Sequence, residues 1–261
     1  MEGWRRRDPP PVPQLAVPIS VPNSLFATSR SKSVKHQAAG ELSVIAFYYL
    51  LRVGEYTRSR SSSHSSKRTV NFRVRDVGFF KGGRILPRRS AWEDLQLADS
   101  CTLKLSNQKN GRMGETIHHM ALKDNDVCPV KALALRVHHI LAKGGSEDSP
   151  ICDYMDESNT WHHVDSRFLI TAIRNTVKEL NLADTGIDPD LVGVHSLRAG
   201  GAMALKLHGC SDTTIMKAGR WTSMTFLQYI HNQIAHLSVD LSERMSIPLP
   251  FQNIASIEAP A

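Results

Sequence analysis

The run ELSVIAFYYLLRV, Glu41 to Val53, sets the first limit on what this chain can fold into. Its apolar residues fall on nearly every face of a 3.6-residue period, so no half-exposed surface position suits it. The run predicts a helix enclosed by other elements. Gly54 stands where such a helix weakens or ends, and Arg52 is carried toward the interior with it. Wrapping one helix on all sides takes a sizeable core, which 261 residues at 41% hydrophobic content can build, a length that fits one large domain or one and a half.

The wrapping elements are legible in part. VNFRVRDVGFF, CTLKLS and ETIHHMAL alternate apolar with polar residues, and Asn110, Gly111 and Gly114 supply a turn between the last two. This predicts a small antiparallel sheet. The tract TRSRSSSHSSKRT, residues 57–69, cannot bury surface and reads as a solvated loop, with phosphate contact as the sharper alternative. Pro129 opens a helix that Gly144 and Gly145 close, and Asp165 or Ser166 caps a second over SRFLITAIRNTVKEL. Three more helices are expected from residue 194 to about 245, broken at Gly209 and near Thr222. Residues 1–34, rich in Pro, Ser and Arg, read as a disordered linker or the remnant of a missing N-terminal DNA-binding domain. The expected organisation is a folded domain over 35–246 and a short tail, 247–261. The fold class is α+β, mainly helical with a small antiparallel sheet.

Charge narrows the partners. Lys plus Arg outnumber Asp plus Glu by 32 to 25, a formal net charge of +7, which favours an anionic partner such as nucleic acid. Arg84, Arg88, Arg89, Lys123 and Lys131 are candidates to track a phosphate backbone, although exposed cations are ordinarily just solvated. No apolar stretch is long enough to span a membrane, and the N-terminal MEGWRRRDPPPVPQ has prolines where a secretory signal has an apolar run. A soluble, intracellular chain is expected. The four cysteines form no Cys-x-x-Cys pair, so neither a zinc cage nor a disulfide framework is indicated. The doublets His118-His119, His138-His139 and His162-His163 place adjacent rings on diverging directions and are given no metal role.

The C-terminal third carries the chemistry. His195 and Arg198 are three apart and share one helix face, followed by the small residues Ala199, Gly200, Gly201, Ala202 and Ala204 that permit close backbone approach. Trp221 precedes Tyr229 by eight residues, and Tyr229 falls on the border of an apolar stripe containing Phe226, Leu227 and Ile230. Taken singly, each aromatic would default to the core. Upstream, LLRVGEYTR holds Arg52 and Glu55, whose bland reading is an ordinary i,i+3 ion pair.

In this order, LLRVGEYTR, then HSLRAGGA, AGRW and QYIHN, the motifs resemble those of the tyrosine recombinases, the phage-integrase-like DNA strand-transfer enzymes. The resemblance spans roughly residues 40 to 245, and the Gly-Arg-Trp and Tyr-Ile-His combination looks more like recombinases of eukaryotic mobile elements than bacterial resolution enzymes. It implies the family's catalytic-domain fold, double-stranded DNA as partner, a homotetramer on DNA with exchanged C-terminal segments, a nuclear location in a eukaryote, and no cofactor. Tyr229 would attack the scissile phosphate to give a 3′-phosphotyrosyl link and a free 5′-hydroxyl. Arg52 and Arg198 would hold the phosphate oxygens with forked N–H donors that Lys cannot imitate. His195 would assist deprotonation of the phenol, and Lys109, in the expected hairpin turn, would protonate the leaving oxygen. Lys104 is a second choice for that role. Trp221 would replace a His of many relatives, donating an N–H while packing the nucleophile's helix, Glu55 supports Arg52, and His231 reads as surface or DNA contact. The family normally carries a further helical domain before the catalytic one. Rival readings are a DNA-binding module that has kept the fold and lost the reaction, and a topoisomerase of the tyrosine type.

Overall fold

The computed structural model describes residues 14–58, 70–105, 114–123, 127–193 and 195–227. The apolar run lies in a central helix, α2 (Val34–Tyr48), in which every residue from Ala38 to Phe47 is buried. Helix α1 (Ser20–Ser29) packs along it through Val21, Leu25 and Phe26, while α5 (Pro129–Ala142) and α7 (Ser196–Leu207) cover other sides. The expected linker up to residue 34 is therefore corrected: residues 14–29 belong to the folded body. Leu15 N–H donates to the Leu191 carbonyl at 3.0 Å and Val17 N–H to that of Ser196 at 3.3 Å, so this segment runs along the start of α7.

Helix α2 also ends earlier than Gly54. Leu50 takes a left-handed conformation at φ 48°, and Arg52 becomes the extended N-cap of a one-turn helix, α3 (Val53–Tyr56). Arg52 is thus a junction residue, partly exposed, rather than the buried end of a long helix.

Four strands, β1 (Val77–Lys81), β2 (Arg84–Leu86), β3 (Ser100–Lys104) and β4 (Thr116–Met120), form an antiparallel sheet in the order β2-β1-β3-β4. Val77, Phe79, Cys101 and Leu103 alternate into the core, which fixes the register. The first half of VNFRVRDVGFF is not strand: the Asp76 carboxylate accepts the Arg73 N–H at 2.8 Å and closes a 3-10 turn over Val74–Asp76. A helical turn, α4 (Trp92–Leu95), links β2 to β3, and a separate hairpin pairs β5 (Asp153–Met155) with β6 (Trp161–His163).

The later helices start where the sequence predicts. Pro129 is the first residue of α5, and the Asp165 carboxylate caps α6 (Ser166–Glu179) by accepting the Phe168 N–H at 3.0 Å. Helix α7 approaches so closely that a Cβ at Gly200 would lie 2.1 Å from the Val17 carbonyl oxygen, and one at Gly201 2.3 Å from that of Phe47. Only glycine permits this contact, and it brings the head of α7 onto the α2–α3 junction. Helix α8 (Asp212–Gly219) follows, then a 3-10 turn at Met224–Phe226. The last expected helix beyond Leu227, with the tail 247–261, lies outside the described residues. Eight helices and the small antiparallel sheets among the described residues make the chain α+β. No helix of the described residues is long and apolar enough to cross a membrane.

Candidate functional site

The site is built on the carbonyl that Leu50 exposes by leaving α2 in the left-handed region. Two guanidinium groups converge on it: Arg198, in the first turn of α7, through Nη1, and Arg220, the C-cap of α8, through Nη2 at 2.8 Å. Arg220 is itself left-handed, at φ 59° and ψ 37°, where a helix C-terminus would ordinarily place Gly or Asn.

Glu55 lies beneath this junction with its side chain fully buried. It accepts four hydrogen bonds: from Arg52 N at 2.8 Å, Arg52 Nη1 at 3.3 Å, Arg220 Nη2 at 3.1 Å and Arg220 Nη1 at 3.5 Å. A carboxylate has about four lone-pair sites, so Glu55 is saturated. The i,i+3 pair of Arg52 and Glu55 is present, and its carboxylate is buried and shared with a second arginine, Arg220.

Arg198 is 3% exposed and sends Nη2 to the Gly219 carbonyl as well as Nη1 to Leu50. Its guanidinium carbon sits 4.2 Å from the centroid of the Trp221 ring. Trp221 is buried in turn, folded over Gly219, where a Cβ would lie 1.7 Å from a ring carbon, and packed on Phe226 at 5.5 Å. Trp221 therefore forms the floor under Arg198.

His195 is the N-cap of α7, and its backbone N–H donates to the Gln14 side-chain oxygen at 2.9 Å. Burial, then the charges of Arg198 and Arg52, lower the pKa of its imidazole. Near neutral pH the ring is therefore uncharged and can take up a proton. The same two arginine charges place Arg52, His195 and Arg198 in one electrostatic neighbourhood. Burial also lowers the Arg220 pKa, Glu55 and Glu115 oppose that, and Arg52 adds to it. Glu115 lies at the base of the β3–β4 hairpin, where its main-chain carbonyl accepts the Leu105 N–H at 2.8 Å.

Of the residues expected at the site, the structure brings together Arg52, Glu55, His195, Arg198 and Trp221. Lys109 and Tyr229, with His231, lie outside the described residues. Lys104 is exposed at the end of β3, its backbone opposite Thr116. Arg220 was not anticipated. Its signal in the sequence is slight: an arginine, not a glycine, between Gly219 and Trp221 where α8 stops. Arg88, a candidate for DNA backbone contact, donates instead to the carbonyls of Val77 and Arg75 and pairs with Glu147 at 3.4 Å. The histidine doublets split between partners: His119 bonds the Tyr48 carbonyl at 2.9 Å, His139 accepts the Met155 N–H at 3.2 Å, and His162 meets Asp156 at 2.8 Å. Among the described residues, no group of three or more His, Cys, Asp or Glu is placed to hold a metal ion.

No family model matches the sequence, and no curated protein matches it. Among solved structures, a fragment of the Tn1549 transposon integrase in complex with transposon right-end DNA aligns with 88% of this chain and 68% of its own, at 11% identity and a TM-score of 0.42.

Proposed function

We propose that this chain is a DNA strand transferase of the tyrosine-recombinase type, acting through a 3′-phosphotyrosyl intermediate. The observation that carries the reading is that Arg52 and Arg198, from segments far apart in sequence, are joined through Arg220, which shares the buried Glu55 carboxylate with one and the Leu50 carbonyl with the other, while His195 caps the helix that carries Arg198. Arg52 and Arg220 share Glu55, Arg198 joins Arg220 on the Leu50 carbonyl, and burial with the charges of Arg198 and Arg52 lowers the His195 pKa. Such a surplus of positive charge around a neutral base suits a phosphodiester.

In this reading the Tyr229 hydroxyl attacks phosphorus: the phenolic O–P bond forms, the P–O5′ bond breaks, His195 receives the phenol proton and Lys109 supplies one to the departing 5′-oxygen. One phosphoester replaces another, so the step needs no high-energy co-substrate. The side chain of Arg52, 21% exposed, is the guanidinium open to a phosphate. Arg198 directs one N–H of each terminal nitrogen at a main-chain carbonyl, two of its five donors.

That engagement of Arg198 favours a second reading, a DNA-binding module in which the cluster is structural. A pool of nicked duplexes, random in sequence around the nick, separates the two, because the short 5′-hydroxyl fragment diffuses away and leaves any cleaved strand attached to protein. The expected result is a denaturant-resistant adduct that Tyr229→Phe abolishes. A chain that binds the pool and never forms the adduct is the binding module, and an adduct that persists in Tyr229→Phe removes Tyr229 as nucleophile.

A further inference from the structure

Arg220 belongs to no part of the strand-transfer scheme, yet it is the side chain that joins both halves of the site. It bonds Glu55 with both terminal nitrogens, and Glu55 fixes Arg52 through its backbone N–H and its guanidinium. It also shares the Leu50 carbonyl with Arg198. Arg52 and Arg198 have no direct bond to each other among the described residues. Their link runs through Arg220.

The molecule accepts costs to keep it there. Arg220 is 3% exposed, its backbone is left-handed without being Gly, Asn or Asp, and its Nε has no hydrogen-bond partner among the described residues. The carbonyl it reaches belongs to another left-handed residue, Leu50. Strained backbone and an orphaned buried donor at one place are the marks of a geometry fixed for a purpose other than stability. Lysine could carry the same charge, but a single ammonium lacks the planar fork that spans Glu55 and the Leu50 carbonyl together.

We propose that Arg220 is a positioning residue: its guanidinium, clamped between the Glu55 carboxylate and the Leu50 carbonyl, sets the orientation of Arg52 and its distance from Arg198. The inference rests on the strand-transfer reading only for its consequence in catalysis. The coupling itself is a property of the fold.

The test uses the full chain and Arg220→Lys. Three quantities are read: the thermal midpoint, the His195 titration followed by NMR and assigned through its loss in His195→Gln, and the rate of adduct formation on nicked duplexes at saturating and sub-saturating DNA. In Arg220→Lys, Arg52 swings toward solvent and the His195 titration moves up, part of the way to an ordinary histidine. Adduct formation at saturating DNA falls about a hundredfold, the scale of a misplacement near 1 Å, while the half-saturating DNA concentration stays. A folded Arg220→Lys with the parental His195 titration overturns the proposal. If Arg220→Lys does not fold, the pair Glu55→Gln with Arg220→Gln removes both buried charges, and the same titration decides. A shifted His195 in a protein whose parent forms no adduct keeps the positioning role and discards strand transfer; an adduct with no shift in the variant does the reverse.

Discussion

Two glutamates in this molecule are each buried between two arginines, and their surroundings differ. Glu41, in α2, meets Arg136 at 3.1 Å and also Arg30, with side-chain exposures of 5%, 1% and 35% in that order. Glu55 meets Arg220 at 3.1 Å and Arg52 at 3.3 Å, with exposures of 0%, 3% and 21%. In each, one arginine is sealed and one reaches solvent. Arg136 extends from the middle of α5 and places every nitrogen on an acceptor: Nε on the Ile151 carbonyl, Nη1 on Glu41, Nη2 on the Asp153 carbonyl. Arg220 reaches from a left-handed residue to the carbonyl of another and leaves Nε without a partner among the described residues. Where the only demand is to tie helices together, the fold makes the complete and relaxed arrangement. The incomplete, strained one shares the Leu50 carbonyl with Arg198.

The largest expected effect breaks the comparison if it fails to appear. Arg52→Ala should lower adduct formation on nicked duplexes by about 10²–10³-fold, the scale of losing one donor to a transition-state oxyanion. Its thermal midpoint should stay near the parent's, because Glu55 keeps Arg220 and the Arg52 side chain is partly in water. An Arg52→Ala protein that traps DNA at the parental rate would make the two triads equivalent.

Next in size is the architectural triad. Glu41→Ala leaves Arg136 as a buried charge without its carboxylate, which should cost about 3–5 kcal/mol in urea unfolding. Replacing both by apolar side chains, Glu41→Leu with Arg136→Met, should return most of that stability. The corresponding replacement of Glu55 and Arg220 should recover stability and leave adduct formation impaired. Equal recovery of both functions at Glu55 would remove the distinction.

The two triads also differ in how far they could be read from the sequence. Arg52, Glu55, His195 and Arg198 were legible because short spacings and motif order mark them, and α2, α5 and α6 because periodicity, Pro129 and Asp165 mark them. Helix α1 was not: it has Pro22 in its first turn, a tolerated position whose composition nevertheless reads as linker. Strands β2, β5 and β6 are three residues each, too short for an alternation to register. Arg220 and Leu50 are left-handed through tertiary contacts that no local propensity records. The same holds for Gln14, which lies in the stretch read as linker and holds the head of α7.

Each triad has a neutral histidine beside it, and acid should act on them differently. Burial, followed by the charges of Arg136, Lys143 and His138, lowers His139 from 6.5 to about 4, and its Nε2 can accept the Met155 N–H only while unprotonated. The folded state resists a proton that the unfolded chain takes up, so stability is complete above about pH 6.5 and is lost as pH falls toward 4. His139→Gln should flatten that part of the urea-midpoint profile. His195 is lowered too, with the same sign, but its protonation should register as a falling rate of adduct formation on the acid side. A His139→Gln profile as steep as the parent's would assign the acid loss elsewhere.

The smallest effect is the sharpest on the comparison itself. Arg30 occupies in the Glu41 triad the place that Arg52 occupies in the other: the exposed arginine on a carboxylate already held by a sealed one. Solvent screens its charge, and its guanidinium lies 4.7 Å over the Phe26 ring, so Arg30→Ala should cost only about 0.5–1 kcal/mol. Urea midpoints of Arg30→Ala and Arg52→Ala should then be close, since each removes the outer partner of a glutamate that keeps its inner one. Adduct formation should separate them, unchanged for Arg30→Ala and nearly lost for Arg52→Ala. If Arg30→Ala slowed the reaction as much, the outer arginine of either triad would act only through the shared core, and Arg52 would lose its claim to face the phosphate.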